Sequence, residues 1–206
     1  MHSRKDKRDR QKQIIIGVVI FIFVISSIAY VVLYRTDNTN TDRFTLNLSN
    51  GDYEFNTVVD KYGSLIYTVS KGKDTFQVNT LPQQLSSIKI DSQSKFRISS
   101  SNYFYFTFSP NDTGLRDIDY IRFNLRNNLP TQKYFQDGVT SPSDIYQLPI
   151  VRCNNATMFT PVIIFRTANI TEITTSGNCV DVNFASYDRS RIKDLFVYLL
   201  RGINLE

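Results

Sequence analysis

Phe44-Thr-Leu-Asn-Leu-Ser-Asn-Gly-Asp-Tyr-Glu-Phe-Asn-Thr-Val-Val59 carries the clearest structural statement in the chain. Phe44, Leu46 and Leu48 alternate with polar residues; after Asn50-Gly51, Tyr53, Phe55, Thr57 and Val59 alternate against Asp52, Glu54 and Asn56. A period of two sends successive side chains to opposite faces of a strand, and Asn-Gly accepts the positive φ of a tight hairpin turn. The stretch reads as a β-hairpin. Downstream, Lys61-Tyr-Gly-Ser64 and Lys71-Gly-Lys-Asp74 punctuate further strands over residues 65–70 and 75–79. Turns at this spacing, with no helix between them, predict an antiparallel meander.

Beyond the meander the pattern predicts short strands over 87–90 and 96–98. It also predicts an aromatic strand over 102–108, with Phe104, Phe106 and Phe108 on one face and Tyr103 and Tyr105 on the other. After the loop Ser109-Pro-Asn-Asp-Thr-Gly114, residues 118–125 read as a strand with Ile121, Phe123 and Leu125 aligned, and 130–149 as an irregular connection. Runs over 161–165 and 178–184 read as strands separated by a turn at 174–177. The period then becomes helical: Ile192, Leu195, Phe196, Leu199, Leu200 and Ile203 form one stripe, with Asp188 or Ser186 as a cap and Gly202 as a stop. The fold expected is a β-rich antiparallel meander or sandwich over 44–109, followed by a small α+β unit over 110–206 with a C-terminal helix, the two forming separate subdomains or one domain.

Upstream lies a different physical regime. Residues 14–34 contain no charge and no proline, and at about 1.5 Å per residue a helix of this length covers the ~30 Å hydrocarbon core of a bilayer. Met1–Gln13 hold six Lys or Arg against two Asp, whereas residues 35–43 form a short polar spacer. Lys and Arg are retained on the cytoplasmic side, so the expected arrangement is a cytoplasmic tail (1–13), one transmembrane helix (14–34) and an extracytoplasmic part from Arg35 onward, at the plasma membrane. A cleaved signal peptide, cut after Ala29, is the alternative. Against it, the apolar run continues through Tyr30-Val-Val-Leu-Tyr34, longer than the usual h-region.

The net charge of +5 comes mostly from the tail, so the exterior part is nearly neutral and offers no argument for nucleic acid. The only histidine, His2, lies in that tail, which removes Ser–His–Asp and Cys–His catalysis from the exterior part and leaves a zinc site poorly supported. Paired-carboxylate hydrolysis needs only two placed acids and stays open as the minor enzymatic reading. No phosphate loop or calcium loop is present, and no cofactor is expected. Cys153 and Cys179 stand at the edges of predicted strands; in an oxidising exterior they pair as a disulfide, the alternative being two buried thiols. Asn47, Asn111, Asn155 and Asn169 begin Asn-x-Ser/Thr acceptor patterns for N-glycosylation, at a number close to chance for so Asn-, Ser- and Thr-rich a chain.

Val151-Arg-Cys-Asn-Asn-Ala-Thr157, Thr160-Pro-Val-Ile-Ile164, Asn169-Ile-Thr171, Gly177-Asn-Cys-Val180 and the closing Leu199-Leu-Arg-Gly-Ile203 resemble the C-terminal region of a group of uncharacterised archaeal single-span membrane proteins. Ile121-Arg-Phe-Asn-Leu125 and Phe135-Gln-Asp-Gly-Val139 are similar too, so the resemblance covers about residues 118–206. It implies recurring cysteines that favour a disulfide, and it implies no activity. The expected function is a membrane-anchored, non-catalytic envelope module with a binding, adhesion or structural role. Its partners would be membrane lipid through residues 14–34 and an envelope protein. The alternatives are an accessory subunit of a membrane or secretion complex and a secreted protein.

Overall fold

A computed structural model describes residues 42–203, so the expected tail, span and most of the spacer lie outside the described residues. The described residues group as one compact unit. The hairpin forms where its sequence predicts, as β1 (Arg43–Leu48) and β2 (Gly51–Val59) pair antiparallel, but its turn sits one residue earlier. Ser49-Asn50 make the loop, Gly51 opens β2 opposite Leu48, and of the expected Asn-Gly pair only Gly51 takes a positive φ, 124°. β3 (Leu65–Lys71) and β4 (Asp74–Val78) complete a four-stranded meander in chain order. Its register lines up Phe44, Phe55, Val69 and Phe76 across the sheet, and the last three are buried. One face of the meander is therefore a continuous aromatic and aliphatic row.

The second sheet has six strands: β5 (Lys89–Ile90), β6 (Tyr103–Phe108), β7 (Tyr134–Val139), β8 (Val162–Thr167), β9 (Glu172–Ser176) and β10 (Cys179–Phe184). Their order is β5-β9-β10-β8-β6-β7. β7, β6, β8 and β10 run parallel to one another, while β9 is antiparallel to β10. Three helices serve this sheet: α1 (Ser92–Ser100), α2 (Leu115–Asn127) and α3 (Arg189–Leu199). β6, α2 and β7 make a β-α-β crossover, the connection that parallel neighbours require.

Two predicted strands are helices. Residues 96–98 lie inside α1, which begins where the Asp91 carboxylate accepts the Ser94 backbone N–H at 2.7 Å. Residues 118–125 lie inside α2: Ile118, Ile121 and Leu125 are buried at i, i+3 and i+7, whereas Phe123 is 63% exposed. The period-two reading grouped Phe123 with the core, and the helix turns it to water. The connection over 130–149 contains β7, and β9 lies immediately before the turn at Gly177. The seam expected at 109/110 falls between β6 and α2, two parts of one β-α-β crossover; the meander ends at Val78 and shares a single core with the rest.

That core is centred on α3. Phe196 packs against Phe165 of β8 at 5.3 Å between ring centroids, while Tyr198 meets Phe76 of β4 at 6.0 Å. The helix therefore touches both sheets, and every residue from Ile192 to Leu199 is buried. The predicted stripe is present, but the remaining faces are covered as well. The Asp188 side chain makes no capping bond; it accepts from Thr171 and pairs with Arg191 instead. Gly202, with φ of 68°, ends the helix, and the Ile203 N–H bonds back to the Tyr198 carbonyl at 3.0 Å. On the opposite face of the mixed sheet, Val162, Ile164 and Cys179 are covered by Val151 from the β7–β8 connection.

Candidate functional site

Cys153 and Cys179 form a disulfide with Cα atoms 5.4 Å apart. Cys179 is buried on the sheet face opposite Val180, Val182 and Phe184, as the strand period predicts, and Cys153 is exposed in the connection. The bond thus fastens the covering connection to the sheet. It closes a loop of 26 residues, worth about 3 kcal/mol in the chain-entropy account.

Four residues further on, the connection makes a tight turn. The Thr157 N–H donates to the Thr160 carbonyl and the Thr160 N–H to the Thr157 hydroxyl, both at 3.0 Å. Met158 and Phe159 occupy its tip, 69% and 82% exposed. On the far side, the Pro161 carbonyl accepts the Tyr105 N–H at 3.0 Å, just before β8 enters the sheet. The turn is held at both ends.

Facing it is the outer side of α1, where Phe96 is 64% exposed. Between them lies a groove of about 550 Å³ lined by Ser92, Gln93, Phe96, Arg97, Met158 and Phe159 with the Ser100–Ser101 backbone turn. Arg97 donates to Asn178 at 3.1 Å, while its buried Nε has no partner. No carboxylate lines the groove. Beside it, at the same end of the parallel strands, Tyr103 opens β6 and Tyr134 opens β7, with ring centroids 4.8 Å apart; Tyr105 continues the ladder at 5.4 Å. Burial, then hydrogen bonding with Tyr105, pushes the Tyr103 hydroxyl up to about 12, so this ring stays neutral at physiological pH.

A second groove of about 810 Å³ lies between β3–β4 and helices α2 and α3. Its amides are largely committed to each other: Asn128 accepts the Gln77 N–H and donates to the Asn124 carbonyl, and Asn124 donates to the Tyr120 carbonyl. At its floor Lys193 and Asp194, 3% and 0% exposed at the side chain, form an ion pair joined to Asn79. This groove is a knitted seam between the layers.

The acids best placed for a carboxylate pair are Asp119 and Asp137, bridged by Arg122 at 2.9 and 3.8 Å. Tyr146 donates to Asp119 and Arg126 pairs with Asp137. Burial pushes Asp137 up, against the pull of Arg122 and Arg126. Neither acid lines either groove, and their bonds fasten α2 to β7 and the following connection. Among the described residues, no group of three His, Cys, Asp or Glu is arranged to hold a metal ion, and no helix is long and apolar enough to cross a membrane.

The four glycosylation-pattern asparagines are all exposed, in four separate places. Asn47 donates to Asp52 across the hairpin, and Asn155 accepts the Arg152 N–H. Asn111 and Asn169 sit in the loops after β6 and β8, whose neighbours Asp112 and Thr167 are hydrogen-bonded. The groove residues Phe96, Met158 and Phe159 carried no functional signal in sequence. Met158-Phe159 between two threonines was the available clue, and Phe96 was hidden by its reading as a strand residue. No protein-family model matches the chain, and no curated protein or solved structure matches it.

Proposed function

We propose that residues 42–206 are the extracytoplasmic, non-catalytic binding module of a single-span envelope protein. In this reading residues 14–34 cross the plasma membrane and Met1–Gln13 lie in the cytoplasm. The observation that carries it is the Cys153–Cys179 disulfide, because such bonds persist in oxidising compartments outside the cytoplasm. The bond also supports a binding role, since it steadies the connection that carries Met158 and Phe159. A place among archaeal single-span surface proteins belongs to the same reading.

Whole cells expressing the chain, treated with a membrane-impermeant amine reagent, test it. Labelling is expected on the exposed Lys61 and Lys73, and on Lys5, Lys7 and Lys12 only after the membrane is opened. Labelling of the tail lysines on intact cells, with Lys61 and Lys73 protected, would reverse the topology and overturn the proposal.

A further inference from the structure

We infer that the surface formed by Phe96, Arg97, Met158 and Phe159 docks onto the phospholipid headgroup layer of the membrane in which the chain is anchored. The tip of the 157–160 turn enters the acyl boundary and Arg97 meets lipid phosphate. The inference rests on the anchored, extracytoplasmic reading above and names the ligand of its groove.

Phe159 is the most exposed large apolar side chain among the described residues, and Met158 and Phe96 stand beside it around one groove. Three such side chains are too few for a stable protein interface, which takes roughly 20–30 residues a side. They suffice for shallow insertion, where each buried apolar group adds a small favourable increment. The turn's two hydrogen bonds, the disulfide and the start of β8 hold the tip in place, so little ordering entropy is lost on insertion. The charge pattern agrees. Arg97 brings a guanidinium to the groove wall, no carboxylate lines the groove to oppose it, and a planar guanidinium suits phosphate oxygens. Tyr103, Tyr105 and Tyr134 flank the same end of the sheet; rings with a polar tip favour headgroup depth.

The chain itself selects a lipid surface. Seven residues, 35–41, separate the apolar run from Asp42, and extended chain reaches at most about 3.3–3.6 Å per residue, so in the anchored reading Asp42 is tethered within about 25 Å of the bilayer. At that distance the membrane is present at high effective concentration, and a patch too weak to recruit a free protein can still dock.

The chain contains no tryptophan, so Phe159→Trp installs a single fluorophore in the full-length protein. The variant, reconstituted in phosphatidylcholine–phosphatidylglycerol vesicles, is expected to emit at shorter wavelength than a Tyr187→Trp control in the same vesicles. Brominated acyl chains should quench it severalfold more strongly than the Tyr187→Trp control, a position 80% exposed and outside the groove. Adding Phe96→Ser and Met158→Ser should weaken that quenching. Emission quenched by iodide and untouched by brominated lipid would overturn the inference. So would a blue shift that grows with protein density without lipid quenching, since it would assign the surface to a second copy. Alkali washing of the same vesicles reads the anchor separately: protein that stays with the lipid but is not quenched refutes docking alone, and protein that washes off refutes the anchored reading.

Discussion

Asp91 ties the start of α1 to the far edge of the mixed sheet. Its carboxylate accepts the Ser94 N–H and hydroxyl and the Thr175 N–H. Burial alone would push it up, but the bonds from Ser94 and Thr175 outweigh this and hold it below its ordinary value of 3.8. As pH falls, the unfolded chain takes up this proton first. The stabilisation is therefore full above about pH 4 and is lost as pH falls through the folded-state value. Asp91→Ala is expected to lower stability at neutral pH by about 1–2 kcal/mol. Asp91→Asn, which keeps a capping oxygen, should flatten the acid limb of a melting-temperature profile; an unchanged limb contradicts the role given to this carboxylate. Lys193 and Asp194 pose a sharper test. Removing one partner strands a buried charge, so Asp194→Ala should cost about 3–5 kcal/mol in urea unfolding. Replacing both, as Lys193→Met with Asp194→Leu, should recover most of that loss. At this scale the hairpin was legible, because the apolar alternation on both sides and the positive-φ glycine at Gly51 mark where the chain reverses. The ion pair was not: Lys and Asp on a helical wheel mark a wet face unless a second sheet covers it.

Elements were legible where pattern and environment agreed. The meander, β6, β8, β10 and α3 all follow their periods. α2 failed because Ile121, Phe123 and Leu125 satisfy a two-residue period as well as Ile118, Ile121 and Leu125 satisfy a helical one, and only the burial of Ile118 and exposure of Phe123 separate them. β7 and β9 were missed because both are mostly polar, β7 with Asp137 and Gly138 within it, and they gain their place by pairing with β6 and β10. The β7–β8 connection has no strand or α-helix of its own; hydrogen bonds and a bridge from Val139 to Ile150 hold its first part, and the disulfide fastens the part that carries the 157–160 turn. A Cys153→Ser, Cys179→Ala double variant is expected to lose about 3 kcal/mol of stability. Its amide exchange should rise first over residues 149–161, and uniform acceleration across the mixed sheet would contradict this local role.

In the whole of the described unit, two sheets of different construction share one helix. That arrangement explains why residues read as two subdomains or one domain group as a single compact unit: α3 gives Phe196 to one sheet and Tyr198 to the other. It also explains where apolar surface remains exposed. The helices cover one face of the mixed sheet, and the other receives only a disulfide-fastened connection whose turn projects Met158 and Phe159. Long-range layering of this kind leaves no periodic trace, so the groove could not be read from residues 92–101 or 157–160 alone. The central claim, a disulfide-bonded module anchored by residues 14–34, is tested most directly by intact mass before and after reduction on protein from alkali-washed membranes. The account predicts a chain that retains residues 14–34 and, before reduction, is lighter by the two hydrogens of one Cys153–Cys179 bond. A chain beginning at Tyr30 and recovered from the medium, or free thiols at both cysteines, would contradict it.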